Sequence, residues 1–269
     1  MFFYFCRLLL KVLKSPSHHI MKQHNVSLII VPDIHGRPFW KEVFNYDAEV
    51  VFLGDYLDPF TSEGIYPWDA LDNFTYIVSY AKSHPKTHLL LGNHDLCYSV
   101  GRHICNSRCD YENYDTIRHL FLNEKGLFQM AFFHSVNGRR FFMSHAGISL
   151  GWYGLHRDLF PRSYEETLQA ELINGLYQKG ALDKALGEIG APRGGRSTYG
   201  SMVWADFHEL MNPEQKASTD IIQIVGHTQV VSGPINLEQE YNLYNVDARQ
   251  CIYIDEEGIL RLLSDGSPL

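Results

Sequence analysis

The chain has 269 residues, 45% of them apolar and 20% charged, proportions that exclude collagenous, coiled-coil and disordered classes. Its length suits one large or two small domains with a sizeable core. A formal net charge of −8 argues against a protein that coats nucleic acid by charge alone.

Residues 2–13 (FFYFCRLLLKVL) are apolar, yet Arg7 and Lys11 make them too short and too charged to span a bilayer. They lack the charge-first order and small-residue cleavage site of a signal peptide. Arg7, Lys11 and Lys14 share one helical face, which an interfacial helix would also show. The preferred reading of residues 1–20 is a dispensable tail without membrane contact, followed by a single domain over 21–269.

Five segments then repeat one pattern, a short apolar run ending in polar residues: 27–36 (SLIIVPDIHG), 49–58 (EVVFLGDYLD), 87–95 (THLLLGNHD), 140–147 (RFFMSHAG) and 221–228 (IIQIVGHT). Runs of this length bounded by Gly or Pro predict strands buried on both faces. Between the second and third, Ala70, Leu71, Phe74, Ile77, Val78 and Ala81 follow helical spacing, with Pro67 in the first turn and Pro85 as a stop.

Cys97, His103, Cys105 and Cys109 cluster next, but only Cys105 and Cys109 have the spacing of a zinc ribbon. With five cysteines and no C-x-x-C, reduced thiols and a cytoplasmic location are expected. Asn137-Gly138 between phenylalanine-rich runs predicts a hairpin, and Ser163 with Glu166 a capping box. Segment 148–215 is expected to form a helical wall, and 241–263 alternates like a β-meander. Strand–helix alternation followed by antiparallel strands implies an α/β fold with mixed sheets and outer helices.

Each of the five strand ends delivers metal-ligand chemistry. In Asp33-x-His35 an extended backbone points both side chains to one side. Asp55, Asn93, His145 and His227 complete a set of two carboxylates, one carboxamide and three imidazoles. Such a mixed oxygen and nitrogen shell suits Mn²⁺, Fe or Zn²⁺ better than Ca²⁺ or Mg²⁺, with Mn²⁺ the first choice. Singly, each piece is an ordinary turn or structural histidine; in this order, each directly after an apolar run, they point to one site. No nucleophile elbow, phosphate-binding P-loop or dinucleotide fingerprint is present.

The set D-x-H, G-D-x-x-D, G-N-H-D, S-H-A-G and G-H-T resembles the calcineurin-like metallophosphoesterases. D-I-H-G, S-H-A-G and the later N-V-D (245–247) resemble the phosphoprotein phosphatase branch and the bacterial bis(5′-nucleosyl)-tetraphosphatases. The resemblance implies a β-sandwich of two mixed sheets flanked by helices, with two divalent metal ions at the strand ends. It places Asp33 and His35 on one ion, Asp55 on both, and Asn93, His145 and His227 on the other. In such a family site the two ions would supply an activated hydroxide and clamp a phosphoryl oxygen, so that no protein nucleophile is required. His94 matches the family's general acid and Asp58 the carboxylate that keeps it charged. Asp95 is expected to stabilise the turn.

One departure stands out. The family pattern continues G-D-x-x-D with Arg-Gly, where this chain has Pro59-Phe60. Arg37, Arg193 and Arg196 are the available replacements for the phosphate-binding arginine; Arg37 and Arg196 are the candidates, the latter in R-G-G-R-S-T, whose glycines would admit an anion to backbone N–H groups. The resulting expectation is a phosphomonoesterase acting on a phosphorylated protein or small phosphoester. A dinucleoside polyphosphate hydrolase is the alternative, and a metal-poor protein-binding scaffold the weaker one.

Overall fold

The computed structural model describes residues 25–104, 108–160 and 162–269, so the expectations for residues 1–20 and for Cys105 lie outside the described residues. All five apolar runs form strands. The strands are β1 (Val26–Val31), β2 (Glu49–Phe52), β3 (Thr87–Leu90), β4 (Phe128–Gln129), β5 (Ala131–Val136), β6 (Arg139–Ser144), β7 (Ile222–Val225), β8 (Ile235–Asn236), β9 (Leu243–Asn245), β10 (Ile252–Asp255) and β11 (Leu260–Leu262).

They build two mixed sheets, ordered β11-β10-β1-β2-β3-β4 and β5-β6-β7-β9-β8. β1 to β4 run parallel, as do β6, β7 and β9, while β10, β5 and β8 pair antiparallel to their neighbours. Strand alternation sorts the side chains into two cores. Leu28, Ile30, Val51 and Leu90 turn inward against Phe141, Met143, Ile222 and Ile224 of the second sheet. Their sequence neighbours Ile29, Val31, Val50, Phe52 and Leu89 face the helices. This is the expected β-sandwich flanked by helices.

Helix α1 (Pro67–Ser83) has the expected bounds, with Asp69 in its first turn accepting the Tyr66 N–H at 3.4 Å. It buries Phe74, Ile77, Val78 and Ala81. Phe74 stacks between Tyr56 and Phe121, at centroid distances of 5.1 and 4.8 Å. Burying one such ring contributes about 1.5–3 kcal/mol. The hairpin between β5 and β6 turns on Asn137 (φ 49°) and Gly138 (φ 74°), the paired left-handed residues of a type I′ turn.

Two expectations change. The C-terminal alternation is not one meander: β9 joins the second sheet beside β7, whereas β10 and β11 cross to the first and pair with β1. Register is satisfied in both because each strand keeps one apolar face on the shared core. Cys97 is disulfide-bonded, with Cys109 Sγ 3.3 Å from its sulfur, so reduced thiols hold for Cys109 and Cys251 but not for Cys97. Among the described residues no helix is long and apolar enough to cross a membrane.

Candidate metal centre

The site gathers where parallel strands end. Asp33 and His35 follow β1, Asp55 and Asp58 follow β2, and Asn93 and His94 open α2 (Asn93–Ser99) after β3. His145 follows β6, His227 follows β7 and Asp247 follows β9. The chain must turn sharply to bring these side chains together. His35, Asp55, Asp58 and His227 all adopt positive φ, between 43° and 66°. For residues other than glycine that conformation is uncommon, and it stores strain that the surrounding structure must hold.

Close packing of backbone makes this possible. A Cβ on Gly92 would meet Asp55 Oδ1 at 2.1 Å, and one on Gly226 would meet Asp33 Oδ1 at 2.2 Å. Asp95 braces the same turn, accepting the backbone N–H groups of Gly92, Asp55 and Tyr56 at 2.8, 2.7 and 3.1 Å. Its expected turn-stabilising role is what the geometry shows.

Asp33, His35, Asp55, Asn93, His94 and His227 line one cavity of about 440 Å³. His145 lies beneath it, fully buried, with Nε2 2.9 Å from Asn93 Oδ1 and 3.1 Å from His227 Nδ1. Two groups have ligand atoms within 4.8 Å of one another: His35, Asp55 and His94, and Asp55, His145 and His227. Asp55 belongs to both. Asp33 adjoins, its carboxylate accepting the His227 N–H at 3.1 Å.

Outer contacts fix the imidazoles. His35 Nδ1 donates to Leu57 O and His145 Nδ1 to Leu53 O, each at 2.9 Å, which turns both Nε2 atoms toward Asp55. Burial pushes His35 down to about 3, and burial with the adjacent His145 pushes His227 well below its ordinary value. Both imidazoles are therefore neutral, as metal ligands must be. Burial opposes ionisation of Asp55, but His145, His94 and His35 together hold its carboxyl low. Asp33 and Asp247 move the other way, raised by burial and, for Asp33, by Asp247 itself; Asp247 reaches about 7.

The residues fit divalent cations. His227 Nε2 and both carboxylate oxygens of Asp247 are buried without a hydrogen-bond partner among the described residues, an arrangement too costly to leave unanswered. Crowded carboxylates and neutral imidazoles around one shared aspartate are the donor set of a two-ion site.

Overlapping the first candidate group at His94 stands a second constellation. His94 Nδ1 meets Asp58 Oδ2 at 2.8 Å, and the Tyr98 hydroxyl donates to Asp58 Oδ1 at 2.5 Å. Burial works against charging His94, yet Asp55 and the hydrogen-bonded Asp58 raise its pKa above the ordinary value. Burial and the Asp58 charge push the Tyr98 hydroxyl far up, so it stays a donor.

The arginines are distributed differently from the sequence candidates. Arg37 lies buried behind the site, bidentate to Glu63 at 2.7 and 2.9 Å. Arg196 lines a neighbouring hollow rather than this cavity. The guanidinium groups on the cavity wall belong to Arg108 and Arg193. Arg108 stacks 3.8 Å over the Phe60 ring and donates to the Asp58 carbonyl at 3.1 Å. No motif marked Arg108; it is read only from the fold. Asp247 carried a signal in the N-V-D of the family resemblance, although the segment before it alternates rather than forming an apolar run.

A two-sheet α/β sandwich with paired ligand groups at its strand ends defines a metal-dependent phosphoesterase. Residues 26–231 match the family model for calcineurin-like phosphoesterases, and the chain belongs to that family. No curated protein matches it. The family typically binds two divalent metal ions, in keeping with the two ligand groups that share Asp55.

Proposed function

We propose that the protein hydrolyses phosphomonoesters, as a phosphoprotein-phosphatase-like enzyme acting on phosphoserine, phosphothreonine or a small phosphoester, with Mn²⁺ as the favoured metal. Asp33 and His35 would hold one ion, Asn93, His145 and His227 the other, and Asp55 both. When bound, the ions supply an activated water and neutralise the phosphoryl oxygens.

The observation that carries the reading is the His94–Asp58 pair on the cavity wall. A monoester expels a poor alkoxide leaving group, and a charged imidazole beside it protonates that oxygen as the bond to phosphorus breaks. Asp55 is shared with the metal ions, so Asp58 is the carboxylate that keeps His94 charged. Arg108 and Arg193 supply charge complementary to the phosphoryl oxygens. Cleavage of a dinucleoside polyphosphate is the second reading, favoured by the arginine-lined hollow beside the cavity. A metal-poor scaffold is disfavoured because all six ligands are present together with His94 and Asp58.

The test is phosphate release with Mn²⁺ from a phosphoserine peptide and from diadenosine tetraphosphate, each with a chelator control. Chelator-sensitive release from the peptide supports the proposal. Turnover of the dinucleotide alone replaces it with the second reading, and a purified protein that binds well under two metal equivalents favours the scaffold.

A further inference from the structure

Beside the metal cavity lies a second hollow of about 460 Å³, and the two share Arg193 and Trp204 as common walls. The contrast in their linings is chemical. The first is floored by carboxylates; the second is lined by Arg193, Arg196, Ser197, glycines, Ile189 and Trp204, with no acidic residue. In a chain of net charge −8, a hollow with no acidic lining residue and one uncompensated guanidinium, that of Arg196, is a local reversal of sign, Arg193 being paired with Asp206.

The loop that carries both arginines is stiff. Ser197 N–H donates to Ile189 O at 3.0 Å, Gly195 N–H to Gly190 O at 3.1 Å and Gly194 N–H to Ala191 O at 3.0 Å. A Cβ on Gly195 would meet Ile189 O at 2.0 Å, so the loop closes only with glycine there. These bonds use the N–H groups of Gly194, Gly195 and Ser197, contrary to the expected backbone cradle at the glycines, and leave anion recognition mainly to the side chains. Arg193 is anchored, ion-paired with Asp206 at 3.0 Å and donating to the Thr228 hydroxyl. Arg196 is exposed and has no hydrogen bond, ion pair or ring contact among the described residues. The rigid turn fixes where the Arg196 side chain departs, beside the reaction site, and its unpartnered guanidinium is available to an anion.

We infer that this hollow is a second anion subsite, and that the enzyme selects phosphoesters whose leaving part bears a further phosphate or carboxylate. The inference rests on the phosphoesterase reading and narrows its substrate class. With the scissile phosphoryl group over the metal ligands, the leaving part passes Trp204 and its anion meets Arg196. Two residues separate the two arginines, so their Cα atoms are at most about 11 Å apart and the two anions are held on neighbouring positions of one loop.

The experiment compares kcat/KM for two substrate pairs with the Mn²⁺-loaded full chain: fructose 6-phosphate against fructose 1,6-bisphosphate, and glucose 6-phosphate against 6-phosphogluconate. The wild type is expected to favour the doubly anionic member by about tenfold, the scale of one charge-assisted bidentate contact. Arg196→Gln should bring the ratio near one at an unchanged melting temperature, and Arg196→Lys should keep part of it. A gain for the bisphosphate alone identifies phosphate as the second group; a gain in both pairs admits carboxylate. A ratio near one in the wild type, or one that Arg196→Gln does not move, overturns the subsite. If none of the four is turned over, the phosphoesterase reading is judged separately by the phosphoserine-peptide assay. The subsite is then judged by equilibrium binding of the same four compounds, where the same ratios support or overturn it.

Discussion

The Tyr98 hydroxyl and the Asp58 carboxylate are joined by a 2.5 Å hydrogen bond, on the oxygen that His94 leaves free. One carboxylate thus receives both residues from a single short helix, and the His94 ring is fixed through it. His94→Asn is expected to lower turnover about 10²–10⁴-fold. Tyr98→Phe should lower kcat several-fold with KM unchanged. Neither change should alter metal content, and in the His94→Asn background Tyr98→Phe should have no further effect. Steady-state kinetics beside elemental analysis checks this; a large loss of metal in His94→Asn would make His94 a ligand instead.

Asp55 belongs to both ligand groups. Asp55→Asn keeps the shape and removes the charge that would face both ions. Both equivalents of metal should be lost together, and activity with them. Full occupancy of one ion with loss of the other would assign Asp55 to a single site.

Gly92 precedes the candidate ligand Asn93 with φ −97° and ψ 179°, a conformation open to any residue, yet a Cβ there would meet Asp55 Oδ1 at 2.1 Å. Gly92→Ala should therefore displace Asp55, whose backbone N also lies 2.7 Å from the added Cβ, while the rest of the fold forms. Circular dichroism close to wild type with metal stoichiometry sharply reduced is the expected pair of results.

Glu63 accepts two hydrogen bonds from the buried Arg37 and pairs with Arg249 at 3.0 Å. The hydrogen bond from Arg37, opposed by partial burial, lowers the Glu63 pKa below the ordinary glutamate value. A lowered folded-state pKa contributes stability that is full above the unfolded value of ~4.3 and lost as pH falls through the folded one. Melting temperature should therefore drop between pH ~5 and ~3 more steeply in the wild type than in Glu63→Gln. At neutral pH that variant should be less stable by about 1–3 kcal/mol, since Arg37 loses its charged partner in a buried setting.

Much of this fold is legible before any coordinates. Runs such as SLIIV and VVFL can be satisfied only as strands covered on both faces, and Pro67 with Pro85 brackets a helix whose apolar spacing has no other use. The ligands follow because each sits directly behind such a run. What escapes is long-range. Arg108 reaches the cavity through stacking on Phe60, a contact between segments that no local pattern encodes. The alternation in 241–263 identifies strands but not the sheet that receives each, because Tyr244 and Ile252 enter the same core from opposite sheets. The glycines of R-G-G-R imply an open cradle by composition, whereas their hydrogen bonds close the turn on itself.

The left-handed backbone at His35, Asp55, Asp58 and His227 bears on how this protein can change. At each of these positions glycine would relax the main chain while deleting the side chain, so conformational ease and chemistry pull in opposite directions. Screens for heat resistance should accordingly enrich for inert variants at these four places. Any thermostable form that still turns over substrate must have found its improvement elsewhere in the molecule.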